Sequence, residues 1–113
     1  MSWAAFTHEI QVVFTDSALI FTEEGEMPVP VPYRDHPEIF GHPRFLMADF
    51  DNSAALVRGV LKQLKGMRRA LIAPKMIVSI NRPLAGGVTQ IDKSILQQIF
   101  TEAGARKVLI QNV

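Results

Sequence analysis

A single α/β domain, a mixed sheet with helices packed on it, is the fold class this sequence predicts. Three observations predict it. The 113 residues fall within the span that one hydrophobic core serves. Hydrophobic residues make up 48% and charged residues 20%, a globular balance too apolar for a disordered chain. Short β-branched and apolar runs fill the first third, and two stripes of helical period alternate with short apolar runs in the remainder. The resulting order is β-β-β-α-β-α-β, three antiparallel strands followed by two crossover units.

Each element has a local cause. Glu9 to Phe14 is β-branched and apolar and reads as a strand. Thr15-Asp16-Ser17 forms a turn, because short polar side chains bond to nearby backbone. Ala18 to Thr22 is the second strand, and Glu23 to Glu26 a hairpin-like turn with Gly25 free to adopt positive φ. Met27 to Tyr33 alternates Val29, Val31 and Tyr33 with Pro28, Pro30 and Pro32. Prolines donate no ladder bond, so this strand belongs at an edge. Asp35 to Arg44, with Pro37, Gly41 and Pro43, reads as loop.

Asp51, Asn52 or Ser53 caps the first helix, and Asp49 shares that reading. Leu56, Val57, Val60, Leu61 and Leu64 form its apolar stripe, Arg58, Lys62 and Lys65 its other face, and Gly66 its end. Met76 to Ile80 is a short apolar run, expected to be buried on both faces of a parallel sheet. Thr89 and Asp92 stand in a capping-box relation ahead of the stripe Ile91, Ile95, Leu96, Ile99, Phe100 and Ala103, closed by Gly104. Lys107 to Gln111 is the final strand.

Composition narrows the function. With no cysteine, disulfides, thiolate metal sites and cysteine nucleophiles are impossible. No apolar stretch is long enough to span a bilayer, and residues 1–9 lack the basic-then-apolar pattern of a secretory signal. The expectation is a soluble cytoplasmic domain without integral membrane insertion. Charge is polarised: nine acids against two bases give −7 over residues 1–51, and seven bases without an acid give +7 over residues 52–91. The two stretches either pair within one fold or steer a partner. Aromatics do not interleave with the basic stretch, so it lacks the stacking platform of a nucleic-acid binder and no nucleic acid is expected.

The order and several strings resemble the first lobe of the bacterial actin family, the rod-shape-determining proteins called MreB. Gly87-Val88-Thr89-Gln90-Ile91-Asp92 is similar to the family string G-[IA]-T-x-V-E, and Ala103-Gly104-Ala105-Arg106-Lys107-Val108 to A-G-A-R-E-V. Ala48-Asp49-Phe50 resembles V-I-A-D-F/Y ahead of the helix. The likeness is best over residues 45–113 and weaker over residues 9–33. It implies a ribonuclease-H-like, actin-like half-domain spanning residues 1–113. Residues 1–8 would be an N-terminal extension, and residues 34–44 a loop in place of the family's inserted subdomain.

The departures decide what the resemblance implies. The family's first phosphate loop, I-D-L-G-T, falls on Gln11-Val12-Val13-Phe14-Thr15. Val12 stands where the acid serves the metal–phosphate assembly. Phe14 stands where glycine lets backbone amides approach phosphate, and its ring is expected in phosphate space. Only Thr15 agrees. The second phosphate loop and second lobe have no counterpart in this sequence. The expectation is a pseudo-ATPase with no cofactor, no catalytic residue and no metal site, which binds protein: itself or a larger actin-like filament component. Val108, Leu109 and Ile110 on the last strand and Arg58, Lys62 and Lys65 on the first helix are the candidate contact residues.

A second class, a small phosphate-ligand binder or metal-dependent enzyme on a ribonuclease-H-like fold, needs converging carboxylates. Val12 and the acid-free run Met76 to Ile80 do not supply them. His36 and His42 with Asp35 and Glu38 have metal-ligand chemistry but read as a polar surface loop. His8 reads as a surface residue at a strand edge, and Trp3 and Phe6 as packing residues without basic neighbours for a lipid surface. Ser17 and Ser79 lack a nucleophile-elbow context, and Gly86-Gly87 lacks the lysine of a phosphate-binding loop.

Overall fold

The computed structural model describes residues 8–64 and 73–112. Five strands form one sheet: β1 (Glu9–Phe14), β2 (Ala18–Glu23), β3 (Val29–Pro32), β4 (Lys75–Ile80) and β5 (Lys107–Asn112). Their spatial order is β3-β2-β1-β4-β5. β1–β2 and β2–β3 are antiparallel, and β1–β4 and β4–β5 are parallel. The expected parallel neighbours meet in register, with Val12 opposite Val78 and Ile77 opposite Leu109.

The core lies on one face of this sheet. Ile10, Val12, Phe14, Leu19, Phe21, Met76, Val78 and Ile80 are all at most 1% exposed. Alternation along each strand puts them on the same side. Helix α2 (Phe50–Gln63) and helix α3 (Gln90–Ala103) contact each other, and their stripes Val57, Val60, Leu61 and Leu96, Ile99, Phe100 join the same cluster. Ile77 and Ser79, on the opposite face of β4, are only half-buried. The expectation of a strand buried on both faces is therefore corrected: among the described residues, helices cover one side of the sheet.

The turns follow their chemistry. Gly25 has φ 81°, the left-handed conformation that glycine adopts without a Cβ clash. Asp49, rather than Asp51, Asn52 or Ser53, caps α2 by accepting from the Asn52 amide at 3.1 Å. The helix ends at Gln63; Gly66 lies outside the described residues, as do Trp3, Phe6 and Lys65. The capping box at α3 is present on both sides: Asp92 N donates to Thr89 Oγ1 at 3.3 Å, and Thr89 N to Asp92 Oδ2 at 2.7 Å. Gly104 closes the helix at φ 125°.

The segment expected to be loop is partly helical. Tyr33–Asp35 is a 3-10 turn, and Pro37–Phe40 is one turn of helix, α1, with Pro37 at its start. Ile39 and Phe40 are 1% exposed, so this short segment plugs one end of the core. Gly41 caps the turn, and a Cβ there would lie 2.5 Å from the Pro37 carbonyl oxygen, so the position favours glycine.

Candidate functional site

Strands β1, β4 and β5 run parallel, and their C-terminal ends open into a cleft of about 420 Å³. Such ends are where open α/β sheets bind ligands. Asp16, Asn81, Arg82, Leu84, Val88 and Asn112 line it. A larger open groove, about 560 Å³ on the helix side, is lined by Phe50, Ser94, Gln97, Gln98, Thr101 and Glu102, a polar set without a cation.

The turn after β1 forms one wall of the cleft, and three of the four amides from Thr15 to Ala18 are bonded within it. Thr15 N donates to Ala18 O at 2.9 Å. Thr15 Oγ1 donates to the same carbonyl at 2.8 Å and accepts from Ala18 N at 3.1 Å and Ser17 N at 3.4 Å. Tyr33 Oη donates to Thr15 O at 2.6 Å, and Tyr33 N to Ser17 O at 3.0 Å. An anion-binding turn presents free amides to its ligand; here the Thr15, Ser17 and Ala18 amides already have acceptors.

Val12 and Phe14 belong to β1 and to the core. Val12 sits mid-strand between Phe21 and Val78, and both side chains are 0% exposed. Phe14 pairs with Leu19 and Ile80. The expectation that its ring occupies phosphate space is corrected: the ring fills the core, because strand alternation places it on the face the helices cover.

Arg82 forms the opposite wall. Its guanidinium carbon lies 4.3 Å from the centroid of the Tyr33 ring, and Nη2 donates to the Phe40 carbonyl at 3.1 Å. The residue therefore ties the α1 turn to the end of β4. Burial pushes the Tyr33 phenol up to about 12, against the opposing pull of Arg82. The nearby start of α3 is likewise occupied. Asp92, 5% exposed, accepts from the Thr89 amide and hydroxyl and from Arg44 Nη1, which bridges its two oxygens at 3.1 Å to each. Burial alone would raise the Asp92 carboxyl, but the Thr89 amide and hydroxyl and the Arg44 guanidinium hold it below its ordinary value.

The candidate contact residues separate onto different surfaces. Val108 is 6% exposed beneath the helices, so its side chain belongs to the core. Leu109 is 37% exposed on the uncovered face, and Ile110 is half-buried. Arg58 and Lys62 are exposed on α2, with Arg58 Nη2 donating to the Glu102 carbonyl at 3.1 Å. Among the described residues, one ion pair, Lys75 to Glu9 at 4.0 Å, joins the acidic and basic stretches.

Three groupings join residues distant in sequence and leave no local sequence signal: Arg82 on Tyr33, Arg44 on Asp92, and His8 on Glu23. His8 is a partly buried residue, not the surface residue expected. Its Nε2 lies 2.6 Å from Glu23 Oε2, off the line of a good hydrogen bond, and Glu23 is 3% exposed. His36 and His42 face different partners: Glu38 at 3.8 Å, and the Arg44 amide, which donates to His42 Nδ1 at 3.1 Å. Among the described residues, no three His, Asp or Glu side chains gather at metal-ligand spacing.

The fold has a solved counterpart. The crystal structure of MreB5 of Spiroplasma citri bound to ADP superimposes with a TM-score of 0.66 at 15% identity, over 96% of this chain. The chain spans 39% of that protein's length. The architecture is thus that of an actin-like half-domain. No protein-family model and no curated protein sequence matches the chain. Among the described residues, no helix is long and apolar enough to cross a membrane.

Proposed function

We propose that this chain is a non-catalytic, actin-like half-domain that acts in the cytoplasm by binding protein, either itself or a larger actin-like filament component of the cell-shape machinery. The observation that carries the reading is the turn after β1. Its amides at Thr15, Ser17 and Ala18 are bonded within the turn, and the two residues that matter before it, Val12 and Phe14, are core residues. The MreB5 structure holds ADP on the same fold at 15% identity; a fold does not fix the chemistry it carries, and a scaffold can persist without it. Retaining the first and losing the second leaves surfaces as the means of action.

The test is titration calorimetry of the chain with ATP and magnesium, alongside thermal unfolding. A ligand of affinity Kd raises stability by RT ln(1 + [L]/Kd). The expected result is no heat and no shift in melting temperature. Micromolar binding would refute the proposal and restore the cleft beside Asp16 and Arg82 as a phosphate-ligand site.

A further inference from the structure

We propose that β5 is the contact edge of a symmetric dimer, in which a second copy of this chain pairs antiparallel with Lys107–Asn112 about a two-fold axis at Leu109. This rests on the protein-binding reading and names the partner. The two edges of the sheet differ in what they offer another strand. β3 is Val-Pro-Val-Pro, so two of its four residues have no N–H to donate. β5 keeps every N–H. Among the described residues, the backbone of Lys107–Asn112 makes no hydrogen bond outside its ladder with β4.

A two-fold axis pairs like strands antiparallel, and directly opposite residues must share a face. With the axis at Leu109, Leu109 meets its own copy, Val108 meets Ile110, and Lys107 meets Gln111. Every pair shares a face, and no two charges of like sign stand opposite. An axis at Lys107 would set two ammonium groups against each other. Axes at Val108 or Ile110 leave Leu109, 37% exposed, opposite Lys107 or Gln111. At Leu109 the axis also extends an existing apolar row. Ile77 neighbours Leu109 on the uncovered face, so the row runs Ile77, Leu109, Leu109, Ile77 across the axis.

A single strand pair is a small interface, below the roughly 1,200 Å² of stable complexes, so the dimer is concentration-dependent. The chain has no cysteine, which makes a single introduced thiol an unambiguous ruler. Opposite residues of an antiparallel pair lie about 4.5–5.5 Å apart at Cα, within the disulfide range. The Leu109→Cys chain should therefore form a disulfide-linked dimer under mild oxidation. Lys107→Cys and Gln111→Cys chains should cross-link with themselves at least about tenfold less, since their like positions are about 13 Å apart along the strands. Mixed together, those two should cross-link. Thermal unfolding of each reduced variant checks that it folds. Sedimentation of the natural chain should show dimer growing up to about 1 mM, the weak range of affinities. Equal cross-linking at all three positions would overturn the proposal, as would greatest yield from Ile110→Cys or a natural chain that stays monomeric. A monomer that also fails to bind ATP overturns the pairing alone; micromolar ATP binding overturns the reading beneath it.

Discussion

Replacing Val12 with aspartate puts a carboxyl where the resembled family's phosphate loop has its acid, at a position that is 0% exposed between Phe21 and Val78. The cost has two parts. Removing the buried valine side chain forfeits about 2 kcal/mol of transfer free energy. The introduced carboxylate has no cation beside it in the sheet, so it folds only when neutral. Holding a group of ordinary pKa about 3.9 protonated at pH 7 costs about 4 kcal/mol, at 1.36 kcal/mol per unit. The total is about 6 kcal/mol, against about 6–17 kcal/mol for a domain of this size at 0.05–0.15 kcal/mol per residue. V12D is therefore expected to be unfolded, or to melt about 20 °C or more below the natural chain. V12A should lose only about 2 kcal/mol. The carboxyl would have a folded pKa above its unfolded one, so the penalty of V12D over V12A grows as pH rises above about 4 and fades below it. Thermal unfolding by circular dichroism at pH 4.5 and pH 7 reads both effects. If V12D melts within a few degrees of V12A at pH 7, position 12 faces a solvated cleft and its assignment to the core is wrong.

Other substitutions probe the contacts around the cleft. D92A leaves the Thr89 hydroxyl capping the amide at position 92 but removes the carboxylate half of the α3 capping box, worth about 0.5–1 kcal/mol, and the charge-assisted bonds from Arg44, worth about 1.5–3 kcal/mol. Arg44 is about a third exposed, and solvent returns part of that, so denaturant melts should show a loss of about 2–3 kcal/mol. Because the Asp92 carboxyl is held below its ordinary value, its stabilisation is present above about pH 4 and lost as pH falls through its folded pKa. Acid melts of the natural chain and D92N should converge there. G41A drives a Cβ against the Pro37 carbonyl and should cost about 1–3 kcal/mol. G59A, on the exposed face of α2 with nothing within 4 Å, should stabilise by about 0.5–1 kcal/mol; the two alanine variants melting alike would contradict these packing assignments.

Local chemistry made much of the fold legible. The proline-studded edge β3, the Gly25 turn and the Thr89–Asp92 capping box each depend on neighbouring residues only, and each stands where the sequence places it. The α1 turn carried a local sign as well: Pro37 at a helix start followed by Glu38 and the apolar pair Ile39-Phe40. Its tie to the end of β4 runs through Arg82, 42 residues away from Phe40, and that part is not local. The side of the sheet left uncovered follows from both helices packing together, which the apolar run Met76 to Ile80 does not encode. At the candidate site, the departure from the resembled family's acid and glycine was legible at Val12 and Phe14. The direction of the Phe14 ring was not, since a strand's alternation fixes a face only once a neighbouring layer defines which face is inside. Arg82 on Tyr33 and His8 on Glu23 are long-range pairs with no periodicity to announce them.

Under the proposed function, the scaffold is kept and its phosphate chemistry given up. Titration calorimetry of ATP with magnesium into the natural chain tests this most directly, because the Thr15, Ser17 and Ala18 amides would have to break their bonds within the turn to receive a phosphate. The expected result is no binding heat, and no change in melting temperature at the same nucleotide concentration. Saturable binding with a micromolar Kd would contradict it.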